Sequence, residues 1–148
     1  MSRSRAIGTS AESAVVKLAR SSGFPYAERR ALAGADDQGD IRLDLHGRVI
    51  LEVKAGKAAE TASDSQVAAW LVEAERERDA AGAWYGFLVL KRAGKGPRNA
   101  GQWWAVGRLD DLALVACSSG AVIGDTTIVR LTVADLFALL APQFGEDA

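Results

Sequence analysis

Asp40, Glu52 and Lys54 fall within one short stretch, GDIRLDLHGRVILEVKAG, residues 39–56. Two carboxylates and an amine suit a particular chemistry. The acids can hold a hard divalent cation through oxygen, and the amine can steady negative charge growing on a neighbouring group. Whether the three meet depends on register. Ile41, Leu43, Val49, Leu51 and Val53 are odd-numbered and apolar, whereas Asp40, Arg42, Asp44, Arg48, Glu52 and Lys54 are even and charged, with Ile50 the exception. Side chains alternate along a strand, so each half of the stretch carries one apolar and one polar face. A two-residue turn at His46-Gly47 would pair 44 with 49 and mix the faces. A three-residue loop over 45–47 pairs 44 with 48 and 40 with 52, keeps both faces clean, and puts Gly47 where a left-handed residue is needed. This register sets Asp40 opposite Glu52, with Lys54 two residues further along the same face.

Like charges directly opposite destabilise a sheet, so the pairing calls for a neutralising partner. Mg²⁺ takes one or two carboxylates and keeps waters for a phosphate substrate. The competing reading is a solvated face on which Asp44–Arg48 and Glu52–Lys54 pair as surface ions worth little each. Parity alone leaves both open.

Asp40 followed by Glu52-Val53-Lys54 resembles the signature of the PD-(D/E)XK nucleases, an Asp upstream of Glu-x-Lys. The stretch GTSAESAVVKLARSSGF, residues 8–24, is similar to the first helix of archaeal-type Holliday-junction resolvases, which carries an active-site Glu; Glu12 matches it. Gln66 in DSQVAAW stands where recombination and CRISPR-associated branches have Gln-x-x-x-Tyr, although here the aromatic is Trp70. Asp36 and Asp37 are the rival positions for the upstream Asp, but Asp40 has the better spacing to Glu52. The ordered set also resembles small resolvase-like nucleases of actinobacterial phages, over roughly residues 8–92. The resemblance implies a restriction-endonuclease-like α/β fold with an αβββαβ core, a mixed sheet flanked by helices, and Mg²⁺ as cofactor (Mn²⁺ can substitute). Glu12, Asp40, Glu52, Lys54 and Gln66 are then the catalytic set, with Asp40, Glu52 and Glu12 holding the metal.

The 148 residues suffice for one domain with a real core. The expected division is a core over about 8–92 and a β/α extension over about 103–141. No 18-residue apolar run offers a membrane span, and a single Cys117 fits a reducing compartment, so a bacterial or phage protein in the cytoplasm is expected. One histidine, His46, excludes a His-rich metal site. The net charge of −1 argues against nucleic-acid binding, but its distribution does not: residues 1–108 hold 17 Lys and Arg against 13 acids. Residues 91–98, KRAGKGPR, carry four cations and no acid on a Gly/Pro-rich frame. Lys91, Arg92, Lys95 and Arg98, with Arg29 and Arg30, are the candidate DNA contacts, because phosphate contacts carry sequence-independent affinity.

The patterning sets the order of elements. Thr9-x-x-Glu12 reads as a capping box opening a helix that stops at Gly23. A first strand spans 26–32, residues 34–39 turn, and the hairpin follows. Residues 55–63 read as a loop, Ser63 or Asp64 caps a helix to about Ala81, and Glu73, Glu75, Arg76, Glu77, Arg78 and Asp79 form its solvated face. WYGFLVLKR is a strand buried on both faces. A strand at 102–107, a helix at 109–116, a strand at 126–131 and a final helix complete the chain. Trp103 and Trp104 are adjacent, so on a strand one should point outward, where it could stack on a base or pack a second subunit; packing against the core at an edge strand is the favoured reading. The expected partners are branched DNA and a second copy of the chain, since a four-way junction needs two symmetric cuts. A recombination-type exonuclease or restriction-like endonuclease is the alternative, and a silent nuclease-fold binding module a third.

Overall fold

The hairpin forms in the register that parity predicts. In the computed structural model, which describes residues 2–30, 39–116 and 127–148, strand β2 (Ile41–Arg42) runs antiparallel to β3 (Val49–Lys54). Ile41 lies opposite Leu51 and Arg42 opposite Ile50, which places 44 against 48 and 40 against 52. Gly47 has φ +66°, and its N–H donates to the Asp44 carbonyl at 3.1 Å. Asp44 is not the surface ion expected of it. Only 2% exposed, its carboxylate accepts from the Val49 N–H at 2.9 Å, the His46 N–H at 3.3 Å and Arg48 Nε at 2.9 Å. It staples the loop, as Asp does when backbone donors lie within reach.

Among the described residues, six strands form one mixed sheet whose spatial order follows the chain: β1 (Glu28–Arg29), β2, β3, β4 (Tyr85–Leu90), β5 (Trp104–Arg108) and β6 (Ile128–Thr132). Only β3 and β4 are parallel, joined by a crossover containing helix α3 (Asp64–Ala81). On one face, Val49, Leu51 and Val53 meet Phe87, Trp103 and the apolar sides of α1 (Arg3–Ser21) and α5 (Val133–Phe144) in the main core. On the other, α3 lays Val67 and Leu71 on Leu88, Leu90 and Val106. Gly86 permits that approach, because a Cβ there would stand 2.9 Å from Arg78 Cβ and 3.0 Å from the Ala74 carbonyl.

Several boundaries depart from the patterning. Helix α1 begins at Arg3 with Ser2 as its cap, so Glu12 lies in mid-helix and the Thr9 capping box does not form. Nothing in residues 3–8 breaks a helix except Gly8, which an interior turn tolerates at modest cost. Strand β1 is two residues long among the described residues, shorter than the span expected at 26–32. The supposed loop after β3 contains a one-turn helix, α2 (Lys57–Glu60), built from good helix formers. The strand expected at 102–107 starts at Trp104 because Pro97–Gln102 form a 3₁₀ helix. Helix α4 (Leu109–Ala116) and α5 lie where periodicity puts them, and α3 has Ser63 and Gly82 as its caps. Asp36, Asp37 and Cys117 lie outside the described residues, as do most of the 34–39 turn and the ends of two expected strands at 31–32 and 126. No helix among the described residues is long and apolar enough to cross a membrane.

Candidate functional site

Asp40 is aimed by the glycine before it. Gly39 has φ +85°, which strains any L side chain, and a Cβ there would crowd Ile50 Cδ1 at 2.9 Å. The Asp40 N–H donates to the Leu51 carbonyl at 3.1 Å, and its Oδ2 accepts the Val53 N–H at 2.8 Å. The carboxylate is thereby pinned to β3 next to Glu52, which is buried, with 5% of its surface exposed. Lys54 Nζ donates to Glu52 Oε1 at 2.8 Å and to Glu73 Oε1 at 3.2 Å.

Helix α3 supplies the rest. Gln66, Trp70, Glu73 and Glu77 follow one another at helical spacing along one flank of its apolar stripe. Glu77 reaches Glu52, Glu73 reaches Lys54, and the Trp70 ring centre lies 6.0 Å from Lys54 Nζ. Gln66, a turn beyond Trp70, is exposed, and its backbone N–H bonds Ser63 Oγ. The structure therefore gathers Asp40, Glu52 and Lys54, while Lys54 is held by Glu73 and Glu52 rather than by Gln66. Glu12 stands close enough for its charge to act on Asp40, and its own carboxylate is gripped by Arg29 Nε at 2.7 Å.

The solvated face expected on α3 needs correction. Arg76 and Asp79 are exposed, but Glu77 is 4% exposed and Glu75 accepts from Arg108 Nη2 at 2.7 Å. Position 77 lies on the flank of the Val67, Leu71, Ala74 stripe that turns toward β3, which a run of charged letters does not reveal.

Burial dominates the electrostatics. It pushes the Glu52 carboxyl up, a hydrogen bond with the Glu77 carboxyl adds to this, and Lys54 pulls the other way; the result is a pKa of about 8. Burial and then the charge of Glu52 push Asp40 up to about 7 against the Val53 N–H, which lowers it. For Lys54, burial favours the neutral amine, but Glu52 and Glu73 outweigh it and raise the pKa, so the group is an ammonium. With every carboxyl ionised, no donor reaches Glu52 Oε2. A shared proton or a bound cation would offset this charge. Glu52, Glu73 and Glu77 can each present an oxygen within 4.8 Å of the others, a spacing that one ion can bridge. The all-oxygen donor set, with Glu52 and Glu77 buried and Glu73 exposed beside Lys54, fits a hard divalent cation. Only Glu52 is common to this triad and the expected set of Asp40, Glu52 and Glu12.

Of the candidate phosphate contacts, the Lys91, Arg92 and Arg29 side chains are engaged within the fold, whereas Lys95 and Arg30 bond through the main chain. Lys91 pairs with Glu60 at 3.0 Å, and Arg92 Nη1 donates to the Gln102 carbonyl at 2.8 Å. The Lys95 carbonyl accepts from Trp103 Nε1 at 2.9 Å, and Arg98 is exposed. The Arg30 N–H donates to the Asp40 carbonyl at 2.8 Å. Trp103 is fully buried and Trp104 half-buried, both packed with the apolar clusters, so core packing holds and neither is an outward tryptophan. Trp84, 63% exposed and next to Arg48 and Phe144, is more open than either. No protein-family model, curated protein or solved structure matches the chain.

Proposed function

We propose that the chain is a metal-dependent deoxyribonuclease of PD-(D/E)XK type, with a restriction-endonuclease-like fold. One observation carries the reading: Asp40 and Glu52 are held carboxyl to carboxyl in a buried site, with the Lys54 ammonium bonded to one of them. A fold that only had to be stable would gain from apolar residues at these positions, since removing buried charges in favour of packing is often neutral or stabilising. Asp40 and Glu52 would hold Mg²⁺ (or Mn²⁺), with Glu12 or the Glu73–Glu77 flank completing its surroundings. When bound, the ion polarises a phosphate oxygen and lowers the pKa of a coordinated water. Lys54, kept protonated by two carboxylates, stabilises charge on the phosphate rather than acting as a base. Gln66, exposed at the start of α3, can reach a phosphate as a hydrogen-bond donor.

A junction-selective, homodimeric resolvase is the favoured form. Trp70 beside Lys54, four residues after Gln66, favours the end-processing or restriction-type alternative. A panel of four-way junction, flap, linear and single-stranded DNA, incubated with Mg²⁺ and with EDTA, tests the proposal. Cleavage dependent on Mg²⁺ supports it, and junction preference with a dimer by light scattering selects the resolvase. A pure chain that cuts none of these substrates contradicts it.

A further inference from the structure

On the α3 side of the sheet, one row of side chains crosses the strands. Asp40 lies opposite Glu52, Glu52 opposite Leu88, Leu88 opposite Val106, and Val106 opposite Arg130. The next row holds Lys54, Leu90 and Trp104. Past the Leu88–Val106 ridge the charge changes sign. The Arg92 guanidinium carbon lies 4.0 Å from the centre of the Trp104 ring, and that of Arg130 lies 5.5 Å away. Two cations are thus held within about 9.5 Å of one another, inside the roughly 10 Å over which 0.1 M salt screens them. Cation–π contact with the indole gathers both.

Neither guanidinium has a carboxylate partner among the described residues, as Arg29, Arg42, Arg48, Arg78 and Arg108 do; Arg92 gives one N–H to the Gln102 carbonyl at 2.8 Å and keeps its other donors. The pair borders a cavity of about 220 Å³ at the end of β4, in which Lys91 and Glu60 neutralise each other. Two like charges are thus gathered on one ring with no carboxylate among the described residues beside either. The ligand that offsets the repulsion is an anion. Guanidinium forks match phosphate oxygens, and Arg92 already covers the indole, so the group on offer is cationic rather than a free stacking surface.

We propose that Arg92 and Arg130, gathered on Trp104, grip a phosphodiester of the nucleic-acid strand whose reacting phosphate lies at the acidic site. The placement of that second phosphate rests on the nuclease reading; the anion grip does not. Trp104 stands two strands from Lys54, about 10 Å away, a span that one strand of nucleic acid covers between nearby phosphates. Binding of a labelled single-stranded oligonucleotide to the full chain, in EDTA over a series of salt concentrations, tests the grip without any cleavage. Arg92→Gln with Arg130→Gln should weaken binding about ten-fold at low salt. The salt slope should fall by about 0.7, the value of one lost single-strand phosphate contact. Arg130→Gln alone, at an exposed position, should move both in the same direction while leaving thermal unfolding unchanged. Variants that bind with wild-type affinity and slope overturn the grip, as does a wild-type chain that binds no oligonucleotide. Inorganic phosphate competing at the same concentration as oligonucleotide phosphate also overturns it, by marking a small-anion site. A wild-type chain that binds through these arginines but cuts nothing in Mg²⁺ counts against the nuclease reading alone.

Discussion

The two faces of β3 are built to opposite rules. Val49, Leu51 and Val53 point into a large apolar core shared with α1 and α5, where every contact favours folding. Ile50, Glu52 and Lys54 point toward α3, where a small apolar cluster borders buried carboxyls that repel one another. One strand, six residues long, therefore carries the fold on one side and a costly charge cluster on the other. Substitutions on the first side should cost stability; on the second they should cost chemistry and can return stability.

The largest expected effect is on activity. Asp40→Asn or Glu52→Gln should lower Mg²⁺-dependent cleavage more than a thousand-fold with the fold intact, because Asn still accepts the Val53 N–H. Lys54→Ala should cost about 2.7–4 kcal/mol of transition-state stabilisation, the scale of a lost oxyanion donor. Steady-state cleavage with circular dichroism as the folding check decides both, and wild-type rates in all three variants would place the chemistry elsewhere.

Next comes the apolar face. Leu51→Ala empties a fully buried site and should destabilise the chain by about 3 kcal/mol in urea unfolding, while leaving divalent-ion affinity within a factor of two in the folded protein. A large loss of ion affinity in that variant would show that the two faces are not separable.

The smallest effect is pH dependence without metal. Asp40 and Glu52 hold their protons more tightly folded than unfolded, with pKa values of about 7 and 8 against 3.8 and 4.5. Their stabilising contribution is complete below about pH 4 and is lost as pH rises through 7 and 8. Asp40→Asn removes part of that loss, so the variant should gain on the order of 1–2 kcal/mol over wild type at pH 8 and little at pH 4. A gain of a few degrees in melting temperature would report it. Equal melting curves at pH 8 would mean that the two carboxyls do not repel.

How much of this is legible in the sequence follows from which signals are local. The hairpin register is, since parity and Gly47 define it without reference to the rest of the chain. The caps of α3 at Ser63 and Gly82 are equally local. The start of α1 is not, because Ser2 competes with Thr9 for the cap and only the helix as packed decides. The role of Glu77 depends on which flank of α3 turns toward β3, set by the close approach at Gly86. The Arg92–Trp104–Arg130 grouping joins a loop to two strands far apart in sequence, so the adjacent tryptophans alone could not reveal it.

The central proposal is that Asp40 and Glu52 form a cation site that retains at least one proton until the ion arrives. Calorimetric titration with Mn²⁺ at pH 6.5, repeated in buffers of different ionisation enthalpy, measures it directly, because carboxylates must deprotonate to bind metal. The account predicts binding that releases about one proton or more, with both the binding and the release abolished when Asp40→Asn is combined with Glu52→Gln. Absence of binding, or binding with no proton release, would contradict it.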